Sequence, residues 1–372
     1  MFNKKFQNLF LFYISYSWFI SFGTSILPIH FLSQHLSLQQ ILLGTVLKFI
    51  AQIILLITLT TFSSRISWFF ALISSLIYIA LSISIKTPIQ FYGASLINGF
   101  TMYFFYIFYN IAHFEHTPRG EKGHSSALMF IVPSFIGIVA PLFAGYITQV
   151  NIIFLWIISL ASFFISFSLV FFQNNFQISY NLWDAVREIK ATRIFIFIEG
   201  IWEAIPFGVV PIYTLYFIKT PLKYGMFLSY LALVSIVANF VLGKLTDKLN
   251  KRILFLYPLT ILMACTTILF AYTKSNLASW IVLASVLQFL LPLFWNVSTA
   301  MVIDSHTNLK LAIPGREFIL ATGRVLGLMM AVISFNMEKA PYYIFIILGI
   351  ALFLYPILLF WNSQIVKNHS YL

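Results

Sequence analysis

Two carboxylates, Glu199 and Glu203, interrupt the apolar stretch 194–218 of this 372-residue chain. Four residues apart on a helix, they share one face about 6 Å apart along the axis. Counted inward from Arg193, Glu203 falls near the middle of the stretch and Glu199 nearer its start, with Trp202 between them in sequence. Two cations break apolar runs in the same way: Lys48 within 38–61 and Arg324 within 317–336. Ionisable groups at membrane depth are costly, and they mark ion or solute paths by default. A carboxylate held away from water can take a proton when its cationic partner is drawn off, which is the physical basis of proton coupling. A purely structural ion pair between helices is the other reading of the same residues. Neutral polar groups add a second set. Asn98, Asn110 and Asn296, with Tyr109 and Trp295, either line a cavity or make hydrogen bonds between helices.

Other chemistry finds little support. His30, His35, His113 and His116 fall at span ends, where headgroup-level placement is expected, and no Cys or carboxylate cluster accompanies them as a metal site would need. The lone cysteine, Cys265, lies in an apolar run, so neither a disulfide framework nor a thiol metal site is expected. No Ser-His-Asp arrangement appears, and the nearest catalytic candidate is His113-Phe-Glu115-His116. We therefore expect no catalytic residues, no metal and no cofactor. A multi-pass lipid-modifying enzyme is a distant alternative.

The elements that must position these residues follow from composition. The chain is 60% hydrophobic and 9% charged, with 42 Phe and 19 Tyr. Such a chain is a polytopic membrane protein. Its net charge of +12 is spread over many short connections and forms no contiguous patch, so nucleic acid is not an expected partner. At roughly 20 apolar residues per crossing, spans are expected near 9–31, 38–61, 66–85, 89–113, 125–148, 151–172, 194–218, 223–243, 252–272, 276–303, 317–336 and 341–361. The first is read as an uncleaved helix and not a signal peptide. Twelve spans place both termini on one side. Fifteen of the 22 Lys and Arg residues fall on the connections of that side, and five (Lys86, Lys219, Lys223, Lys274 and Lys339) on the other. The positive-inside rule then makes both termini cytoplasmic.

Three regions are expected: 1–172 and 194–372, each of six spans, and a linker, 173–193. Within the linker, Leu182, Trp183, Val186 and Ile189 follow Asn181 at helical spacing, which predicts a short amphipathic helix on the inner membrane surface. A weak internal repeat supports two related halves. Tyr109-Asn110 matches Trp295-Asn296, and Gly137 matches Gly323, both at an offset of 186. Leu27-Pro28 matches Val210-Pro211 at an offset of 183.

Between the eighth and ninth spans the chain reads Gly243-Lys-Leu-Thr-Asp247-Lys-Leu-Asn-Lys-Arg252, a tight cationic turn. The spacing Gly-x-Leu-x-Asp-x-x-x-Lys-Arg resembles the inter-helix signature of the major facilitator superfamily of membrane transporters. The resemblance implies an all-α integral membrane fold of 12 transmembrane helices in two pseudo-symmetric six-helix bundles. It also implies alternating access, with spans 1, 4, 7 and 10 lining a central cavity and 2, 5, 8 and 11 bordering it. Glu203 would then face the substrate path, with Lys48 and Arg324 on neighbouring walls. Gly243, Asp247 and Arg252 would belong to a cytoplasmic gate, with Asp247 meeting the start of the fifth span near His124 and Ser125.

The equivalent turn between spans 2 and 3 lacks both Gly and Asp and carries Arg65. A reversed contact, Arg65 to Glu317, is expected in its place. In the fifth span, Ala140-Pro141-Leu142-Phe143-Ala144-Gly145 is similar to the Gly-Pro-x-x-Gly-Gly element of exporters in that superfamily; Pro141 and Gly145 would allow close packing and a bend. Asp304, Lys310 and Arg316 are placed on an inner loop. The expected protein is a monomeric, multi-pass transporter of the bacterial inner (plasma) membrane, moving a small organic solute with H+ and, from the fifth-span element, outward. A non-transporting scaffold or sensor of the same fold is the alternative that the degraded turn keeps open.

Overall fold

The structure, a computed structural model, describes residues 4–117, 122–246, 252–273, 276–306, 308–335 and 342–362. Its first helix is broken by a turn into α1 (Lys4–Thr24) and α2 (Leu27–Ser33). Then follow α3 (Leu38–Thr58), a short strand β1 (Thr61–Ser63), α4 (Ser64–Ile83) and α5 (Pro88–Thr101). A π-helical stretch, Met102–Ile107, carries α5 into α6 (Phe108–His116). Next come α7 (Lys122–Val150), α8 (Ile152–Val170), strand β2 (Gln177–Ser179) and α9 (Leu182–Glu188). The seventh expected span is α10 (Arg193–Trp202), a second π-helical stretch, Ile205–Val209, and α11 (Val210–Phe217). The chain continues through α12 (Pro221–Thr246), α13 (Leu256–Phe270), α14 (Leu277–Ser305), α15 (Leu309–Ser334) and α16 (Tyr342–Trp361).

Among the described residues, eleven helical stretches are long and apolar enough to cross a membrane. The expected fourth span is the helical path 88–116, which lies outside those eleven and carries Gln90, Asn98, Asn110 and His113 among its apolar residues. Local chemistry sets the helix starts. Ser37 with Gln40, and Thr87 with Gln90, form reciprocal capping boxes at α3 and α5. Asn151, Asn181 and Asn276 cap α8, α9 and α14 through their side-chain carbonyls. Pro28 sits in the first turn of α2, after the turn at Ser25–Ile26, where its missing N–H costs nothing. Pro211, its matched residue, lies where the π-helical stretch passes into α11.

Helices α1, α3, α4, α5, α7 and α8 pack on one another, as do α10 and α12 to α16. Two seams join the groups, α7 on α12 and α3 on α15. The first is backbone to backbone. A Cβ at Gly145 would come within 2.7 Å of the Pro221 carbonyl oxygen, and one at Gly225 would overlap that of Pro141. In the second, Gln39 Nε2 donates to Val332 O near one end and Gln52 Nε2 to Glu317 Oε2 near the other. The matched glycines serve different contacts: Gly137 faces Ala232 across the α7–α12 seam, whereas Gly323 meets Gly200 within its own group.

The linker differs from expectation in two respects. First, β2 pairs antiparallel with β1, Thr61 opposite Ser179, so the turn between spans 2 and 3 is bound to the linker. Asn175 Oδ1 accepts from Ser63 Oγ and the Arg65 N–H, Arg65 Nη2 donates to Gln173 O, and Tyr180 Oη donates to Leu56 O. Second, α9 forms after its Asn181 cap, but its apolar residues divide. Val186 and Ile189 are buried, while Trp183 is 74% exposed. The reason is that α9 docks on α15, where Gly315 leaves room for the Ala185 carbonyl.

Candidate functional site

The charged residues meet where α10 crosses α15. Small residues bring the two backbones together: Gly200 against Leu320 and Gly323, and Gly327 against Ile201 and Ala204. Next to Gly323, Arg324 is thereby presented to Glu203, and its Nε donates to Glu203 Oε2 at 2.6 Å. Trp295 Nε1 donates to the other carboxylate oxygen at 2.8 Å. The guanidinium of Arg324 lies 5.1 Å from the Phe49 ring and 4.9 Å from the Phe207 ring, and Phe207 stacks on Trp295 at 5.7 Å. Glu203 and Arg324 are 2% and 6% exposed. A buried pair of this kind depends on further polar partners, and here Trp295 donates to the second carboxylate oxygen while two rings face the guanidinium.

A second knot lies one turn away. Arg316 Nη2 lies 3.5 Å from Glu199 Oε1, and Arg316 Nη1 donates to Glu317 Oε1 at 2.9 Å. Ser298 Oγ also reaches Glu199, and Gln52 reaches Glu317 from across the seam. Glu199, Glu203 and Glu317 thus face two guanidiniums, one carboxylate in excess. Lys48 Nζ, 4.6 Å from the Phe49 ring, stands beside the same cluster.

Arg316 is therefore not a loop residue. Pro314 and Gly315 suggest a break, but α15 begins at Leu309 and runs through both, which turns Arg316 inward. The expected Arg65–Glu317 contact does not form: Glu317 is taken by Arg316 and Gln52, and Arg65 by Gln173. Trp202 faces away from Glu203 and donates to Thr267 Oγ1 at 3.0 Å. Asn98 lines the cavity beside Lys48; Asn296 is buried and lines none of the cavities described below. Pro141 and Gly145 lie on the α7–α12 seam. Asp247 lies outside the described residues, as do the surroundings of Gly243 and Arg252 and those of His124 and Ser125, its expected partners. Gln52, Phe49 and Phe207 were not singled out from sequence. Gln52, four residues after Lys48 and so on the same helix face, was the available signal.

Three cavities converge on this centre. One of about 190 Å³ contains Glu203, Arg316, Glu317 and Arg324 with Asn110 and Thr299. A second, about 430 Å³, opens among α7, α12 and α14. A third, about 410 Å³, surrounds Lys48. Tyr106 and Phe207 line all three. Each belongs to one of the two π-helical stretches, a winding frequent at functional sites because it displaces side chains from the regular helix face. Among the described residues, no group of three or more His, Cys, Asp or Glu side chains is placed to hold a metal ion.

No protein-family model and no curated protein sequence matches the chain. Solved structures do. A bacterial homologue of the iron transporter ferroportin, in an outward-facing state, superposes with a TM-score of 0.71 at 13% identity, over 97% of this chain and all of the other. The human organic anion transporter MFSD10 gives 0.64 at 10% identity over 95% and 97% of the two chains, and a bacterial metal transporter 0.59 at 12% over 98% and 100%. The fold is that of the major facilitator transporters, as the turn at Gly243–Arg252 implied.

Proposed function

We propose that the protein is a secondary active transporter that moves a small organic solute by alternating access, driven by protons through Glu203. The observation that carries this reading is the Glu203–Arg324 pair, buried where three cavities meet. Withdrawal of the guanidinium leaves a carboxylate without its counter-charge in a low-dielectric site, and a proton restores balance. The surplus carboxylate of the cluster provides a second place for the proton. In this reading the helical path 88–116 is the twelfth crossing, and residues 1–172 and 194–372 form the two rocking halves. On the same reading both termini are cytoplasmic, which the distribution of cations supports, and the chain works as a monomer in the bacterial inner membrane. The Pro141–Gly145 element of α7, packed on α12, supports export as the direction. Fold neighbours that carry an organic anion or metal ions agree with solute transport.

The test is proton movement by purified protein in liposomes as candidate solutes are added, wild type against Glu203→Gln. Solute-driven proton movement in wild type and its loss in the variant is the expected result. Solute flux without protons retires the coupling and keeps the transporter. Absence of both across a broad panel favours a scaffold or sensor. One observation supports that second reading: the turn between spans 2 and 3 pairs with the linker.

A further inference from the structure

The cavity beside Lys48 is chemically unlike the one that holds Glu203, and we propose that it is a binding site for a monoanionic organic molecule, a carboxylate or sulfonate with an apolar body. Lys48 makes no hydrogen bond or ion pair with any described residue. It lines a space of about 410 Å³ to which no Asp, Glu or Arg among the described residues contributes. A cation at membrane depth with no carboxylate in contact is expensive. The neighbouring guanidinium cannot relieve it, since Arg324 is of like sign and already bound to Glu203. Tyr16 supplies a second unmet group: its side chain is 1% exposed and its hydroxyl has no hydrogen-bond partner. Thr45, Tyr78, Asn98 and Tyr106 add further polar atoms to the wall.

The class of ligand follows from these groups. A compact ammonium with three donors fits one carboxylate or sulfonate, whereas a phosphate dianion needs a second free cation, and the nearest one is engaged. An organic cation meets a positive wall with no carboxylate to receive it. The remaining lining includes Phe31, Phe91 and Phe207, which suits an aromatic or aliphatic body, and the volume lies in the usual range for small-molecule sites. The inference rests on the transporter reading and names its substrate class.

The test introduces one thiol into the cavity. Cys265 is the chain's single cysteine, so Cys265→Ser gives a clean background. Thr45→Cys then places a thiol one helical turn from Lys48, on the same wall. Methanethiosulfonates bearing a sulfonate or a trimethylammonium group are compared in liposomes, each rate divided by that on a free thiol. The anionic reagent is expected to react faster by about tenfold. Lys48→Met is expected to bring the ratio near unity and Lys48→Arg to keep it. Millimolar 4-phenylbutyrate should slow the reaction, and 4-phenylbutylamine should not. Equal rates, a preference for the cation, no modification, a preference that survives Lys48→Met, or no protection by the carboxylate each overturns the proposal. Because labelling reads the cavity and not solute movement, its failure leaves proton-coupled transport standing. A failure of flux likewise leaves the site standing.

Discussion

The two helix groups each carry a π-helical stretch, at Met102–Ile107 and Ile205–Val209, but differ in their chemistry. In α1 to α8 the interior is largely aromatic, with Lys48 of α3 as the charge at that depth and no carboxylate beside it among the described cavity walls. Tyr16 stacks on Phe105 at 3.4 Å and Tyr13 on Tyr109 at 4.3 Å, while Ser74 and Ser75 share Thr101. In α10 to α16 the same depth is held by three carboxylates and two guanidiniums. The matched pair makes the contrast sharp. Tyr109 stacks on Tyr13 and bonds His113, whereas Trp295 bonds Glu203. Matched positions thus make different contacts in the two groups, as Gly137 and Gly323 also do. On the reading proposed above, that difference is what would let two rocking halves distinguish an empty site from a loaded one.

The largest effect should come from breaking the charged side. Arg324→Met leaves Glu203 buried without its cation, and thermal unfolding in detergent should report a loss of about 3–5 kcal/mol. Adding Glu203→Leu should recover most of it, since the penalty belongs to the unpaired charge. Trp295→Phe keeps the stacking on Phe207 but removes a donor from Glu203, and should cost about 1.5–3 kcal/mol. Gly323→Ala drives a methyl into the Phe197 carbonyl and Gly200, for about 1–3 kcal/mol. Its flux should fall further than its stability, because Arg324 moves with the backbone. The aromatic side should scarcely respond. Tyr16→Phe removes a hydroxyl that already lacks a partner, and stability should stay within about 0.5 kcal/mol. A loss of several kcal/mol there would erase the contrast between the halves.

Helix positions and the charged pair were largely legible, for a physical reason. Water-avoiding runs of about 20 residues admit few readings, and a carboxylate inside one must find a cation. What escaped were features set by tertiary contact. Arg316 looks like a loop residue until α15 is seen to pass through Pro314 and Gly315, held there by α9. Trp202 is adjacent to Glu203 in sequence, yet one residue of helix turns its side chain by about 100° toward α13. The π-helical stretches have no periodic signature, and they decide that Tyr106 and Phe207 meet at the centre. The ribbon β1–β2 joins two segments too short for alternation to show.

That ribbon also bears on how the chain is made. Thr61 and Ser179 are 118 residues apart. At synthesis rates of about 5–20 residues per second, β1 emerges from the ribosome roughly 6–24 s before its partner. Until then the first six spans lack the strand, the Asn175 bonds and the Tyr180 hydroxyl that complete their surface beside β1. The N-terminal group therefore reaches its finished form only once the linker has been translated, and α9, two residues beyond β2, arrives with it to receive α15.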